Sequence, residues 1–192
     1  MIIALTGKKG CGKDTVANYL GEKYGFVNYG FADPIKEVGK IVFGFNDEQL
    51  EGCLKDTMDN FWGISPREFF QNFGTGIAQF EFPKYFPNMY RNNDKRVIWV
   101  KVFEIWYLKK INENPDLKVV ISDLRFIHEY EYLKKMDTYF IRIKSDKYGS
   151  KKFTEHISEK ELDFLEDNEL NYVIENNGSK EELFDLVDSI IR

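Results

Sequence analysis

The chain has 192 residues and a formal net charge of −5, with 43% hydrophobic and 31% charged residues. This balance excludes wholesale disorder and is sufficient for a sizeable core. The acidic charge argues against a protein that coats nucleic acid, although it is compatible with a local cationic pocket for a phosphorylated small molecule. The length favours one domain with an appended lid or subdomain.

Membrane and secretion signals are absent from the sequence pattern. The longest apolar candidate, residues 97–103, is interrupted by Lys101 and falls short of the roughly 20 residues of a membrane span. The first ten residues place basic side chains after apolar ones, the reverse of a secretory signal. The two cysteines, Cys11 and Cys53, are too few for a disulfide framework and lack metal-ligand spacing. We therefore expect a soluble cytoplasmic protein with neither a membrane partner nor a stable nucleic-acid partner.

Apolar runs alternate between strand and helix patterns along the chain. Strands are predicted at residues 2–6, 26–31, 118–122, 138–144 and 171–175. Helices are predicted at residues 13–24, 66–73, 97–111 and 128–135, after Asp33-Pro34, and after Ser158 and Ser179. This order implies an α/β fold with a parallel sheet and helices on both faces.

Helix-start signals locate several of these boundaries. Asp33 is predicted to be an N-cap, with Pro34 at the first helical position. Ser65 and Glu68 have the spacing of a capping box, as do the serine and glutamate pairs at 158/161 and 179/182. Residues 46–94 contain no convincing strand, so we interpret them as a helical insertion into a core formed by residues 1–45 and 95–192.

The glycine-rich turn after the first strand carries the strongest chemical signal. Residues 7–13, GKKGCGK, fit the G-x-x-x-x-G-K phosphate loop. The glycines allow successive backbone N–H groups to face phosphate oxygens, and the following helix N-terminus adds partial positive charge. The predicted phosphate-binding residues are Gly7, Lys8, Lys9, Gly10, Cys11, Gly12, Lys13, Asp14 and Thr15.

One position departs from the usual loop. The residue after Lys13 is normally a serine or threonine that ligates Mg²⁺, whereas here it is Asp14, followed by Thr15. We favour Asp14 as a carboxylate ligand, directly or through water, and Thr15 is the alternative.

Five segments in order resemble the deoxynucleoside monophosphate kinases of tailed phages and large viruses. They are GKKGCGKDT at 7–15, FADPIK at 31–36, SPREFFQNFGTG at 65–76, SDLRFIHE at 122–129 and ENNGSKEELFDLV at 175–187. The resemblance implies a single P-loop kinase domain, with the insertion binding the acceptor and a lid at about 145–157. It also implies Mg²⁺-assisted transfer of the ATP γ-phosphoryl group to a (deoxy)nucleoside monophosphate. A viral or phage origin, with action in the host cytoplasm, is part of the same expectation.

Arginines are the preferred partners of a dianionic acceptor phosphate because their guanidinium groups bind oxygens in pairs. Arg67 lies in the first turn of a predicted helix, and Arg125 lies just beyond the end of a predicted strand. We expect both to contact the acceptor or the transferred phosphate, and Arg142 to contact phosphates or the donor adenine. The alternative for Arg67 and Arg125 is a structural salt bridge.

Carboxylates and lysines complete the predicted site. Asp123 follows a hydrophobic strand, as a Walker B carboxylate does, and is predicted to hold Mg²⁺ through water; the alternative is a helix cap. The predicted lid lysines are Lys147, Lys151 and Lys152. The substrate-binding candidates besides the arginines are Asp33, Lys36, Trp62, Gln71 and Glu129.

Base and sugar preference stay open at this stage. The sequence after Gly76 is IAQFEF, where the family is expected to carry an acidic residue and then an arginine. Two other functions compete with the nucleotide kinase: a kinase for another phosphorylated metabolite such as phosphomevalonate, and a nucleotide-dependent switch or DNA-processing ATPase. An exposed apolar insertion would suit a homodimer.

Overall fold

A computed structural model describes residues 1–89, 96–146 and 161–191. Its centre is a five-stranded sheet in the order β2-β3-β1-β4-β5, and all four strand pairs are parallel. The strands are β1 (Ile2–Thr6), β2 (Val27–Tyr29), β3 (Val119–Ile121), β4 (Thr138–Lys144) and β5 (Tyr172–Glu175). The predicted parallel sheet is confirmed, with β2 and β3 shorter than their apolar runs.

Helical elements connect the strands. The α-helices are α1 (Lys13–Tyr24), α2 (Asp33–Phe43), α3 (Asp47–Leu50), α4 (Pro66–Gln71), α5 (Phe82–Tyr85), α6 (Ile98–Glu113), α7 (Ile127–Leu133) and α8 (Lys180–Ile191). A π-helix, Asn72–Glu81, continues α4 directly. Short 3₁₀ helices occur at Cys53–Asp56, Pro87–Met89, Lys134–Met136, Glu161–Phe164 and Asp167–Glu169. Among the residues described, no helix has the length and apolar character that a membrane crossing requires.

Helices cover both faces of the sheet. Side chains alternate along a strand, so Ile141 and Phe140 of β4 lie on opposite faces. Ile141 belongs to a core cluster with residues of α1 and α8. On the other face the Phe140 ring packs against Tyr130 of α7, with ring centroids 4.6 Å apart. The α1/α8 cluster comprises Ile3, Leu5, Cys11, Val16, Ala17, Leu20, Phe26, Val120, Ile141, Ile143, Ile174, Leu183 and Val187.

Close contacts divide the chain into two compact units. The first contains Met1–Gly30 and Leu108–Arg192 and includes the whole sheet; the second is Phe31–Tyr107. The predicted insertion, residues 46–94, lies within the second unit, and its described residues, 46–89, contain no strand. Aromatic rings build the interior of this unit around Phe69, which packs against Phe43, Phe45 and Phe73 at centroid distances of 4.6, 5.8 and 5.3 Å.

Several predicted helix boundaries differ from the structure, and for two of them the contacts give the reason. Asp33 is not an N-cap: Ala32 has helical dihedral angles, and its carbonyl accepts a 3.0 Å bond from the Lys36 amide, so the helix begins one residue earlier. The helix predicted to end at residue 73 continues to Glu81, because tertiary contacts hold Gly74 in the helix. The Gly74 carbonyl accepts a 2.7 Å bond from the Trp99 indole. By contrast, the capping boxes at Ser65 and Ser179 are confirmed.

Candidate active site

The glycine-rich loop joins β1 to α1, and its shape depends on three glycines. Gly7, Gly10 and Gly12 have positive φ values of 141°, 83° and 109°. A Cβ atom on Gly7 would lie 2.2 Å from the Ile143 carbonyl oxygen, and one on Gly12 would lie 2.6 Å from Nδ2 of Asn176. The backbone conformation therefore favours glycine at both positions, and at position 7 the backbone of Ile143 also leaves no room for a side chain.

Lys13 occupies the centre of this loop. The side chain is buried, and its Nζ donates hydrogen bonds to the carbonyl oxygens of Gly7 (2.7 Å) and Lys8 (3.0 Å). The buried thiol of Cys11, which is a free cysteine, lies 3.7 Å from the same ammonium group. The loop thus places a positive charge at the N-terminus of α1, where an anion is also favoured by the helix dipole.

A cavity of about 510 Å³ adjoins the loop. Its walls combine cations from several elements with the loop itself, so its chemistry suits a phosphorylated ligand. The lining residues are Thr6, Gly7, Lys8, Cys11, Leu124, Arg125, Arg142, Ile143, Lys144, Ser145, Asp146, Leu162, Asp163 and Glu175. The predicted residues Gly7, Lys8, Cys11, Arg125 and Arg142 are therefore brought together at one cavity.

Residues 161–169, which we call the acidic segment, supply carboxylates to these cations. Asp163 forms an ion pair with Lys8. Asp167 accepts a 2.8 Å bond from Arg142 and also pairs with Lys144. These two cations hold the pKa of the Asp167 carboxyl below its usual value, Lys144 most strongly. The acidic segment is thus held against the cavity wall by charge.

Arg142 has further contacts with the same segment. Its guanidinium donates to the carbonyl oxygens of Leu165 (2.9 Å) and Leu162 (3.0 Å), and its side chain is only 14% exposed. Through these bonds Arg142 holds the acidic segment in place. The same guanidinium also contributes a positive charge to the cavity wall. The lid lysines Lys147, Lys151 and Lys152 lie outside the described residues.

Arg125 is presented by a turn whose shape depends on Glu129. One carboxylate oxygen of Glu129 accepts 3.0 Å bonds from the backbone amides of both Arg125 and Phe126. Glu129 is 2% exposed, and this burial, reinforced by the charge of Asp123, raises the pKa of its carboxyl to about 8. The structure therefore places Glu129 in the interior, where it holds the backbone of the Arg125 turn.

The candidate metal ligands Asp14 and Asp123 come from separate elements. Asp14 is exposed in the first turn of α1, next to the partly exposed Thr15, and Asp123 follows β3, which pairs with β1. Within residues 1–89, 96–146 and 161–191 no group of three or more His, Cys, Asp or Glu side chains is arranged to hold a metal. Mg²⁺ often needs only one or two protein carboxylates, with phosphate oxygens and water completing its shell. That Asp14 and Asp123 are those carboxylates stays a prediction.

The remaining candidates lie in the second unit. Lys36 forms ion pairs with Asp33 (2.8 Å) and Glu51 (2.7 Å). The Trp62 indole donates a 2.7 Å bond to the Phe43 carbonyl and leaves its side chain 43% exposed. The structure thus gives these predicted substrate-binding residues local partners within their own unit.

Arg67 and Gln71 both belong to α4 of this second unit. The Arg67 guanidinium makes a two-pronged ion pair with Asp56, whose second bond measures 3.2 Å, and Gln71 is partly buried at the end of the helix. The predicted alternative of a salt bridge is therefore present for Arg67.

Sequence reasoning missed several residues that the structure brings to the loop and cavity. Asn176 contacts the glycine-rich loop, and Asp163 and Asp167 pair with its neighbouring cations. Asn176 lies within the ENNGSK segment, directly after a predicted strand, and that position at the carboxyl edge of a parallel sheet was the available signal. The two aspartates gave no comparable signal, since their partners are at least 23 residues away in sequence.

An all-parallel sheet whose central strand leads into a phosphate loop and a helix defines the class of P-loop proteins. The family model of deoxynucleotide monophosphate kinases matches residues 1–64 and 43–187. The chain belongs to the deoxynucleotide monophosphate kinase family, as its sequence segments predicted.

Individual relatives agree with this assignment. A protein of Acanthamoeba polyphaga mimivirus assigned as a deoxynucleotide monophosphate kinase is 34% identical, over all of this chain and 96% of the relative. The deoxynucleotide monophosphate kinase of Enterobacteria phage T4 is 26% identical, over all of this chain and 98% of the phage enzyme. TT1252 from Thermus thermophilus has a similar fold, with a TM-score of 0.50 at 15% identity, covering all of this chain and 96% of that structure.

Proposed function

We propose that this kinase transfers the γ-phosphoryl group of ATP to the 5′-phosphate of a deoxynucleoside monophosphate. Family membership supports the reaction class. The observation that carries the proposal is the buried Lys13 ammonium, enclosed by the glycine-rich loop, beside a cavity whose wall includes Arg125 and Arg142. This arrangement offers a cradle for the donor phosphates and separate cations for the group in transfer.

The glycine-rich loop and Lys13 bind the phosphates of the donor, ATP. Backbone N–H groups at the start of α1 bind phosphate oxygens, and Lys13 exchanges the Gly7 and Lys8 carbonyl oxygens for oxygens of the β- and γ-phosphates. Asp14 and Asp123 would hold Mg²⁺, with Thr15 as the alternative to Asp14. The ion would neutralise phosphate charge that develops during transfer.

The chemical step requires little from the protein beyond positioning and positive charge. An oxygen of the acceptor phosphate forms a bond to the γ-phosphorus, while the bond from that phosphorus to the bridging oxygen breaks and ADP leaves. The acceptor oxygen is already ionised, so no general base is required. Arg125 stabilises the negative charge spread over the transferred group, and Glu129 keeps the turn that carries Arg125 in place.

Acceptor binding is assigned to residues of the second unit. Arg67 would bind the acceptor phosphate after exchanging its Asp56 partner, and the exposed part of Trp62 would stack on the base. Asp33, Lys36 and Gln71 complete the proposed set. The viral and phage relatives support action in the cytoplasm of an infected cell, and the homodimer stays a prediction that light scattering would test.

The experiment is transfer of label from [γ-³²P]ATP in the presence of Mg²⁺ and, in separate reactions, each deoxynucleoside monophosphate, mevalonate 5-phosphate or DNA, with the products separated by chromatography. We expect label in the deoxynucleoside diphosphate with the wild-type protein and none with Lys13→Ala. Label that reaches only mevalonate 5-phosphate would move the substrate to another metabolite. Label released as inorganic phosphate only when DNA is added would replace the proposed function with a DNA-dependent ATPase.

A further inference from the structure

Asn176, the residue that directly follows β5, contacts the glycine-rich loop from outside. Its side-chain Nδ2 donates a 2.8 Å hydrogen bond to the carbonyl oxygen of Cys11, a loop residue 165 positions away. Its backbone amide donates a 2.7 Å bond to the Lys144 carbonyl at the end of β4. The sheet therefore fixes the Asn176 backbone. The side-chain hydrogen bond in turn fixes the position of the Cys11 carbonyl group in the loop.

The hydrogen bond on Cys11 also determines where the next amide points. Every peptide bond described here is trans, so the Cys11 carbonyl and the Gly12 N–H point in opposite directions. With the carbonyl directed at Asn176, the Gly12 N–H is directed away from it. Gly12 is the residue before Lys13, and in a phosphate loop the amides around that lysine are the phosphate donors.

Gly12 and Asn176 fit each other sterically as well. Gly12 has a φ of 109°, and a Cβ atom there would lie 2.6 Å from Nδ2 of Asn176. The carboxamide thus occupies the space that a side chain at position 12 would need. A glycine has more backbone freedom than any other residue, so a loop that depends on it gains order from an external contact.

The turn that carries Asn176 is itself held in place. The neighbouring Asn177 exchanges two hydrogen bonds with Asp146 beyond β4: its Nδ2 donates to the carboxylate (2.7 Å), and its Oδ1 accepts from the Asp146 amide (2.9 Å). These bonds do not involve the glycine-rich loop. The position of Asn176 is therefore set by β4 and β5, independently of the loop that it contacts.

We propose that Asn176 is a positioning residue of the donor site: it fixes the Cys11–Gly12 peptide so that the Gly12 N–H is oriented for a phosphate oxygen of ATP. The inference rests on the proposed function, because it assigns the loop to the donor nucleotide. A backbone N–H group that is oriented before ATP arrives needs no rearrangement on binding. Such preorganisation increases both the affinity for ATP and the rate of transfer.

The test uses two substitutions that remove the amide donor in different ways. Asn176→Ala deletes the carboxamide, and Asn176→Leu keeps nearly the same shape without its hydrogen-bonding groups. We expect both substitutions to raise the Kd for ATP by roughly tenfold or more, as measured calorimetrically without acceptor. This is the loss expected when one hydrogen bond to a charged group, here from the Gly12 N–H to a phosphate oxygen, is no longer made. The KM for the acceptor should stay within about twofold of wild type, a split that general loosening of the fold would not produce.

Asn171→Ala is the matched control. The Asn171 Oδ1 accepts a 2.8 Å bond from the Phe140 amide, at the opposite end of the β4–β5 pair, and has no contact with the loop among the bonds described. This variant also removes one hydrogen bond between an asparagine side chain and the backbone, next to the same pair of strands. Thermal melting of all variants separates their stability from their ATP affinity. We expect Asn171→Ala to bind ATP like the wild type.

Two results would overturn the inference: wild-type ATP affinity in both Asn176 variants, or equal losses in ATP affinity and acceptor KM. A failure of the proposed function is distinguishable from either. If the wild-type protein transfers no phosphoryl group to any deoxynucleoside monophosphate, the calorimetric comparison of ATP binding still decides whether Asn176 positions the loop.

Discussion

Lys8 of the glycine-rich loop and Asp163 of the acidic segment form an ion pair in which both carboxylate oxygens contact the lysine ammonium. Both residues line the cavity, and their side chains are 42% and 54% exposed. An ion pair with this exposure is weak, typically about 0–1 kcal/mol. A nucleotide phosphate at Lys8 would compete with the Asp163 carboxylate for the same ammonium group.

Removal of that competitor should strengthen nucleotide binding. Asp163→Asn keeps the size of the side chain and removes its charge, and we expect ATP affinity to rise by roughly two- to fivefold, the range that a surface ion pair allows. Calorimetric titration with ATP measures the change. Asp185→Asn, on the exposed side of α8, is the control for the change in net charge. Weaker ATP binding by Asp163→Asn would mean that Asp163 supports the nucleotide rather than competing with it.

Lys13 should be indispensable for transfer. Lys13→Ala removes a buried charge directed at the phosphates, and the loss of such an electrostatic contact typically lowers kcat by about 10²–10³ or more. Initial rates at saturating ATP and acceptor would measure the loss. Lys110→Ala, which removes a partly exposed lysine paired with Glu113, should leave the rate unchanged. Turnover by Lys13→Ala within tenfold of wild type would contradict the assignment of the loop.

Arg67 has a structural partner in Asp56, so its functional role can be separated from that ion pair. Arg67→Ala removes the guanidinium, whereas Asp56→Asn breaks the same pair and leaves the guanidinium in place. We expect kcat/KM for the acceptor to fall about 100-fold in Arg67→Ala and to stay near wild type in Asp56→Asn, with ATP affinity preserved in both. Equal losses in the two variants would show that Arg67 serves the fold.

Glu129 provides a prediction for pH. Burial raises the pKa of its carboxyl to about 8, above the ordinary value of 4.5, so the folded state retains a proton that the unfolded chain has lost. The stabilisation is complete below about pH 4.5 and is lost as the pH rises through about 8. Glu129→Gln stays neutral and keeps an oxygen for the Arg125 and Phe126 amides. Its free energy of unfolding in urea should therefore decline less than that of wild type between pH 5 and 9.

Glu129→Ala is the contrasting variant, because it leaves the partly buried Arg125 amide and the buried Phe126 amide without their acceptor. We expect it to be less stable than wild type at every pH by about 1–3 kcal/mol, and to have a lower kcat because the Arg125 turn loses its restraint. A Glu129→Gln variant as unstable as Glu129→Ala, or with the same pH dependence as wild type, would contradict the role given to this carboxyl.

The first strand, the loop and α1 could be predicted closely from the sequence because their signals are local. An apolar run, glycines at fixed spacing and a helical pattern lie within 24 residues, and Lys13 follows from the spacing alone. The capping boxes at Ser65 and Ser179 are equally local. The family was predicted from five short segments in a fixed order. Of these, only the glycine-rich loop is specific by itself, and the other four gain their weight from occurring together with it.

Long-range contacts account for what the sequence did not reveal. Arg142 was predicted to contact nucleotide, but its bonds to Leu162 and Leu165 depend on how the acidic segment returns to β4. The substrate role of Glu129 stays a prediction, and its burial is not evident from the sequence because it is a property of the packed α7. The extension of the helix beyond residue 73 likewise depends on Trp99, which is 25 residues from Gly74.

The measurement that tests the central claim most directly is ADP release in a coupled assay with Mg-ATP, using every common nucleoside and deoxynucleoside monophosphate, mevalonate 5-phosphate and DNA as separate additions. The proposed function predicts turnover that depends on one or more deoxynucleoside monophosphates and is abolished by Lys13→Ala. ADP release that no deoxynucleoside monophosphate increases, from a protein that still binds ATP, would contradict it.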